Sequence, residues 1–364
     1  MKRIKGPIYY FFNGVKVIAN NKIAVIIIFI TLFFILNNNI NYKNKLKEYT
    51  TDENEVNKYV KLSTKVNYNY SNSNEENKKS EEAASSLIKC INEKIEYKDL
   101  DDNTKKLIND LNNLYNENER YFSFAYKDLY TGVEITYNEN APISTASSIK
   151  APAMIYIYEM ASLGKIDLNE ELTYTSNFYS GGSGVLQTKA PNTSYTVKTL
   201  VNYVIHDSDN IAYAMLMNRY KRENILEFWK EKGTNQVFRY NTIWGVTSTH
   251  DALIYMQELY NFYKTNDEYG VELMNMFKNA GWKILTNKDG EFNTANKGGW
   301  AGQTFHDIAI VYEENPYILA VMSNTGENYS EYTYLFNKTS KLVGELHDSY
   351  WQNKLEKCKE IKQY

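Results

Sequence analysis

The sequence predicts an α+β fold. Three observations predict it: β-prone hairpins stand at both ends of the globular region, apolar-periodic helices fill the stretch between them, and one of those helices is apolar nearly all round. The first hairpin is Tyr121–Tyr126 with Val133–Tyr137, separated by the turn Asp128-Leu129-Tyr130-Thr131-Gly132. The closing hairpin is His306–Tyr312 with Tyr317–Ser323, joined by Glu313-Glu314-Asn315-Pro316. The helix apolar on every side is Ala153–Lys165 (AMIYIYEMASLGK), a composition suited to the middle of a domain, and it starts close to Ser147. Upstream, Glu81 to about Asn118 reads as helical, with Leu87, Ile91 and Ile95 on one stripe and Leu107, Leu111 and Leu114 on another.

Ahead of this region lies a leader. Ile23–Leu36 is apolar except for Thr31, and the uncharged residues through Tyr42 extend it to about 30 Å of helix. Lys2, Arg3, Lys5, Lys16 and Lys22 precede it without an acidic residue, and no small-residue cleavage site follows. The expected organisation is a cytoplasmic N-terminus over 1–22, a transmembrane signal anchor over 23–42, a flexible tether over 43–80 that is poor in apolar residues, and a globular domain over 81–364 outside the membrane.

Composition excludes some functions. The 41 basic and 44 acidic residues are mixed along the chain, leaving a net charge of −3 and no basic stripe for nucleic acid. The 33 tyrosines accompany abundant Asn, Lys and Ile, which points to codon bias rather than to a sugar-binding surface. Cys90 and Cys358 lie near the two ends of the globular region; they admit either one disulfide or two free thiols. None of His206, His250, His306 and His347 is paired for metal binding, so no metal or other cofactor is expected. Gly181-Gly182-Ser183-Gly184-Val185 misses the nucleophile elbow of an α/β-hydrolase.

Three short motifs carry the chemistry: Ser147-Ser148-Ile149-Lys150, Ser208-Asp209-Asn210 and Lys297-Gly298-Gly299. Ser-x-x-Lys at the head of a helix puts hydroxyl and amine on one face, with the helix's positive end behind an oxygen that must develop negative charge. The lysine serves as base only when neutral, a state that burial and a nearby cation impose. Ser86–Lys89 and Ser162–Lys165 match the same pattern, but the first lies on an amphipathic flank and the second at a helix stop beside Gly164. Ser208 is placed to relay a proton to a leaving nitrogen and Asn210 to hold a substrate amide; His206 beside them reads as a helix-end residue. Lys297, on the strand before the closing hairpin, can hold Lys150 neutral and attract a substrate carboxylate. Gly298 and Gly299 let a substrate backbone lie against that strand. The N–H groups of Ser147 and Trp300 form the expected oxyanion pair. Tyr179–Gln187 reads as a mobile glycine-serine loop beside this site.

In this order the motifs resemble those of class A β-lactamases and penicillin-binding proteins. The resemblance runs from about Leu111 to Leu342 and includes TVKTLVNYVIHDSDN and the closing strands. It implies a five-stranded antiparallel sheet with helices on both sides, an all-helical lobe and an active site between lobes. It also implies acylation of Ser147 by a β-lactam or a peptidoglycan-derived peptide. Two departures stand out. The stretch 233–248 (GTNQVFRYNTIWGVTS) holds neither Asp nor Glu where hydrolytic class A enzymes carry a deacylating glutamate, so the acyl-enzyme should persist. Gly298 stands where the family usually has a hydroxyl that binds the substrate carboxylate. The expected activity is a slowly deacylating serine hydrolase; the alternatives are a D-alanyl-D-alanine carboxypeptidase-like cell-wall enzyme and a catalytically idle binding module.

Overall fold

Capping chemistry decides where the helices begin. In the computed structural model, which describes residues 86, 89–91, 93, 95–117, 122–235, 243–324 and 329–360, Asp101 accepts the N–H of Thr104 at 2.6 Å and opens α1 (Asp102–Asn116). This cap splits the expected 81–118 helix: Glu96 is extended and Tyr97–Asp99 forms a short 3-10 turn before α1. The three leucines of α1 are buried against the sheet, whereas Ile91 and Ile95 pack on a separate cluster of Leu100, Tyr350 and Trp351.

The sheet follows the two expected hairpins. Strands β1 (Phe122–Asp128) and β2 (Glu134–Tyr137) pair antiparallel, then β3 (Ile143–Ser144) leads into the 3-10 turn Ala146–Ile149 and α2 (Lys150–Ser162). The helical lobe continues past the small hairpin β4 (Glu171–Tyr174) and β5 (Thr193–Thr196) with α3 (Val197–His206), α4 (Asn210–Tyr220) and α5 (Arg222–Glu231). After β6 (Val246–Thr247), which pairs with β3, come α6 (Thr249–Lys264) and α7 (Glu268–Lys278). The chain then returns through β7 (Thr294–Asn296), β8 (Gly299–Ala301), β9 (Thr304–Val311) and β10 (Tyr317–Asn324), and closes with α8 (Tyr329–Glu360).

The main sheet runs β2-β1-β10-β9-β7, with β8 also on β9, all antiparallel. It has six strands rather than the expected five because its edge strand is broken at Lys297-Gly298. The ladder nevertheless continues through the break, with Lys297 N–H donating to Ile308 O at 3.0 Å. One face of the sheet, through Ala295, Ile308, Ile310 and Met322, buries against α6 and α7, which in turn pack on α2 at the centre of the helical lobe. The other, through Phe124, Ala309 and Val321, packs on α1 and α8. All described residues fall within the unit Ser71–Tyr364.

Cys90 and Cys358 form a disulfide, with Cα atoms 5.7 Å apart, which settles the choice the sequence left open. The anchor expected at 23–42, with the segments 1–22 and 43–80, lies outside the described residues. Among the described residues no helix is long and apolar enough to cross a membrane.

Candidate active site

Ser147 sits in the 3-10 turn ahead of α2, so the regular helix starts three residues later than the sequence suggests. Ala146 before it has φ 42°, a left-handed conformation that a side-chain-bearing residue holds only when its surroundings force it. Here they do. Thr145 Oγ1 donates to Trp244 O at 3.0 Å, Ser148 Oγ donates to Thr145 O at 2.7 Å, and His306 Nε2 donates to Ser144 O at 2.6 Å. The other nitrogen of His306 accepts the N–H of Ser323 at 3.1 Å, and burial pushes its pKa down to about 4, so this ring is a neutral pin between sheet and nucleophile turn.

Lys150 is fully buried. Its Nζ lies 3.1 Å from Ser147 Oγ, 3.1 Å from Ser208 Oγ, 2.5 Å from Ser208 O and 2.6 Å from Asn210 Oδ1. The two shortest partners are pure acceptors. A neutral amine has two hydrogens for them and one lone pair left for a serine hydroxyl, which is the protonation state a base requires. Burial first and the neighbouring Lys297 second hold the amine well below the ordinary lysine range, against an opposing pull from Asp209. The rings of Trp244 and Tyr213 cover it at 5.4 and 5.8 Å.

Lys297, 4% exposed, donates to Ser208 Oγ and to Gly298 O, both at 3.1 Å. Burial lowers its pKa to about 8, with the Asp307 carboxylate opposing. Ser208 thus bridges two amines, an arrangement that can pass a proton between them. Its own φ of 53° marks a second enforced backbone position. Asp209 turns away from the cleft: its carboxylate caps α4 through the N–H groups of Ile211 and Ala212 at 2.9 Å and takes Leu186 N–H at 2.7 Å.

The expected mobile loop is tied down. Ser183 Oγ donates to Ser208 O at 2.6 Å, Gln187 Nε2 to Ser180 O at 2.7 Å, and Asn210 Nδ2 to Gly181 O at 2.7 Å. Asn210 thereby spends one amide hydrogen on the loop and has a second for another carbonyl. Gly299 is pressed on the nucleophile turn, where a Cβ would come within 2.4 Å of Ser147 N. From the Lys297 N–H bond to β9, the antiparallel alternation turns the N–H of Trp300 outward at the strand's open edge, beside that turn.

All the expected site residues therefore come together: Ser147, Lys150, Ser208, Asn210, Lys297, Gly298, Gly299 and Trp300. His206 does not join them; it ends α3 and pairs with Asp207 at 3.0 Å. Sequence reasoning missed His306, Tyr213, Trp244 and Trp282, none of which belongs to a spaced motif.

A hydroxyl at a helix head, a buried amine against it and a second amine from the sheet define a serine hydrolase built between a sheet and a helical lobe. Residues 106–346 match the model of the beta-lactamase enzyme family, and the chain belongs to that family. Solved structures share the fold. PBP-A, in a mutant's acyl-enzyme complex with penicillin-G, superposes with TM-score 0.61 at 20% identity over 67% of this chain and 97% of that one. A beta-lactamase from Sphaerobacter thermophilus gives TM-score 0.56 at 14% identity over 71% and 98%. An ancestral class A beta-lactamase gives 0.56 at 17% over 66% and 99%. No curated protein matches the chain.

Proposed function

We propose that this chain is a membrane-anchored, extracytoplasmic hydrolase whose Ser147 is acylated by a β-lactam or a peptidoglycan-derived peptide and whose acyl-enzyme is released slowly. The observation that carries the proposal is the contact of a buried, depressed-pKa Lys150 with Ser147 Oγ at 3.1 Å. Lys150 takes the hydroxyl proton as Ser147 attacks, and the N–H groups of Ser147 and Trp300 meet the oxyanion. Ser208, in contact with both amines, delivers the proton to the leaving nitrogen, while Asn210 and the Gly298-Gly299 edge hold the substrate.

Slow release is supported by the surroundings of the ester. The stretch 233–248 contains no acid to activate water. The location is supported by the leader's charge pattern and by the Cys90–Cys358 disulfide, a bond that persists in oxidising compartments. The missing acid also favours a second reading, a D-alanyl-D-alanine peptidase that turns over its own acyl-enzyme but not that of a penicillin. An idle binding cleft has no need of a depressed amine against a hydroxyl.

Labelling with a fluorescent penicillin tests the proposal. One label per chain is expected, lost in Ser147→Ala and retained for hours after the free probe is removed. Absence of labelling at any concentration sinks the acylation, and rapid turnover of a chromogenic cephalosporin sinks the slow release.

A further inference from the structure

The open edge of β8 is walled by two indoles. Gly298 lies under Trp282, and a Cβ at 298 would come within 1.9 Å of that ring, so the glycine makes room for the tryptophan. Trp282 stands on a fixed mount. The fully buried carboxylate of Asp307 accepts Ile284 N–H at 2.8 Å, Leu285 N–H at 2.9 Å and Asn296 Nδ2 at 2.7 Å, clasping the segment that carries the ring to the sheet. Phe305 backs it edge-on at 5.7 Å, with Phe336 behind at 5.1 Å. On its outer side Trp300 meets Trp282 at 4.7 Å, and Trp300 is 46% exposed although its ring is large and apolar.

The pleat places these rings relative to the chemistry. Lys297 and Gly299 share the strand face toward Ser147; Gly298 and Trp300 share the other, and their backbone groups point off the open edge between. A substrate whose carbonyl oxygen lies at the Ser147 and Trp300 N–H groups, and which continues along β8 toward Gly298, therefore runs beside the indoles. The nearby cation spends two of its three N–H groups on Ser208 Oγ and Gly298 O, which leaves one at most for a substrate anion. An indole face carries the negative part of the ring quadrupole, so it repels an anion and strips its water, whereas a flat uncharged group gains contact there.

We propose that Trp282 and Trp300 form a specificity wall which selects an uncharged, planar or apolar group, rather than a carboxylate, on the part of the substrate lying along β8. The inference rests on Ser147 being the acylated residue. The test uses penicillin-G and its methyl ester, which share the acyl half and differ in one charge, on the full chain. The ester acylates wild-type Ser147 about tenfold faster than the acid, and the ratio falls toward one in both Trp300→Ser and Trp282→Leu. Both probes read the same folded fraction, so the ratio is independent of partial misfolding. An acid equal to or faster than the ester in the wild type, or a ratio unchanged in both variants, overturns the wall. Calorimetric titration of Ser147→Ala with the two probes separates this failure from the other. Ester-selective binding without labelling of the wild type keeps the wall and sinks acylation; labelling without ester preference does the reverse, and binding of neither probe overturns the wall.

Discussion

Helix α2 carries the same four-residue pattern at its two ends, and the ends behave differently. At the start, Ser147 meets a lysine that is sealed from water and faces a second amine. At the finish, Ser162 Oγ donates to Asp267 Oδ2 at 2.9 Å, and Lys165 is solvent-exposed. Gly164, at φ 68°, terminates the helix between them. The first end offers peptide N–H groups and partial positive charge; the second offers carbonyls and a carboxylate that fixes the hydroxyl as a donor. On the proposed function, the reactivity of Ser147 comes from burial, neighbouring charge and helix polarity, and the tetrapeptide is only the means of delivering two groups to one place.

The comparison is most easily broken by removing one amine from each end. Lys150→Ala lowers the rate of Ser147 labelling by about a thousandfold, the typical worth of a positioned general base. Lys165→Ala leaves the rate within about twofold, as an exposed, unengaged side chain should. Stopped-flow labelling with a fluorescent penicillin reads both, and comparable losses at the two ends would show that the pattern rather than its surroundings confers function.

A second difference lies in what each end does to stability. The fold holds Lys297 with a pKa of about 8, against an ordinary lysine value of 10.5, so at neutral pH it confines a charge that the unfolded chain leaves in water. The penalty is complete below pH 8 and disappears as pH rises toward 10.5, where the amine is neutral in both states. The corresponding gain is roughly 3 kcal/mol. The stability of the wild type relative to Lys297→Met, measured by urea unfolding, should therefore rise over that window, the other buried groups such as Lys150 being present in both, while the wild type and Lys165→Met keep the same pH dependence. A difference that falls instead of rising would mean that Lys297 is stabilised as a cation by its neighbours.

The sequence exposed much of this, and the reasons are particular. Strands β1, β2, β9 and β10 were legible because short β-prone runs were bounded by turn residues, and α2 because its residues are apolar on every side. The convergence of Ser147, Lys150, Ser208 and Lys297 was legible because each belongs to a motif of fixed local spacing. Contacts between distant residues were not. Trp282 touches Gly298 only because the Asp307 clasp folds its segment onto the sheet, and no local pattern at Trp282 announces it. His306 read as one of four unpaired histidines; its role is set by Ser144 and Ser323, one on each side of it in space. The break that makes a sixth strand falls at two motif residues, where spacing gave no hint of geometry. The glycine-serine loop was expected to move because its composition is permissive, yet four side chains fasten it.

Acylation itself should titrate with the two amines. Burial keeps Lys150 neutral, and the Lys297 cation beside it stabilises the negative charge that develops as Ser147 attacks, so the labelling rate falls above about pH 8, where that charge is lost. Lys297→Arg removes this basic limb, because a guanidinium does not titrate there. The exposed amine at the other end of α2 supplies the control: Lys165→Arg leaves the limb where it was. A limb that persists in Lys297→Arg would assign the titration to a different group.

The smallest expected effect is at Ser162. Its hydroxyl donates to Asp267 Oδ2, while Oδ1 of the same carboxylate caps α7 through Tyr269 N–H at 2.9 Å. Ser162→Ala removes one part-buried hydrogen bond to a charged acceptor and leaves the cap, which costs about 1–2 kcal/mol of stability. Labelling of Ser147 should not change, since the change lies at the far end of α2, beyond the cap. Thermal unfolding and labelling kinetics on the same preparation distinguish the two quantities. A loss of labelling exceeding that in folded fraction would mean that α2 transmits position from one end to the other as a rod. The contrast between its ends would then describe two parts of one device rather than two environments.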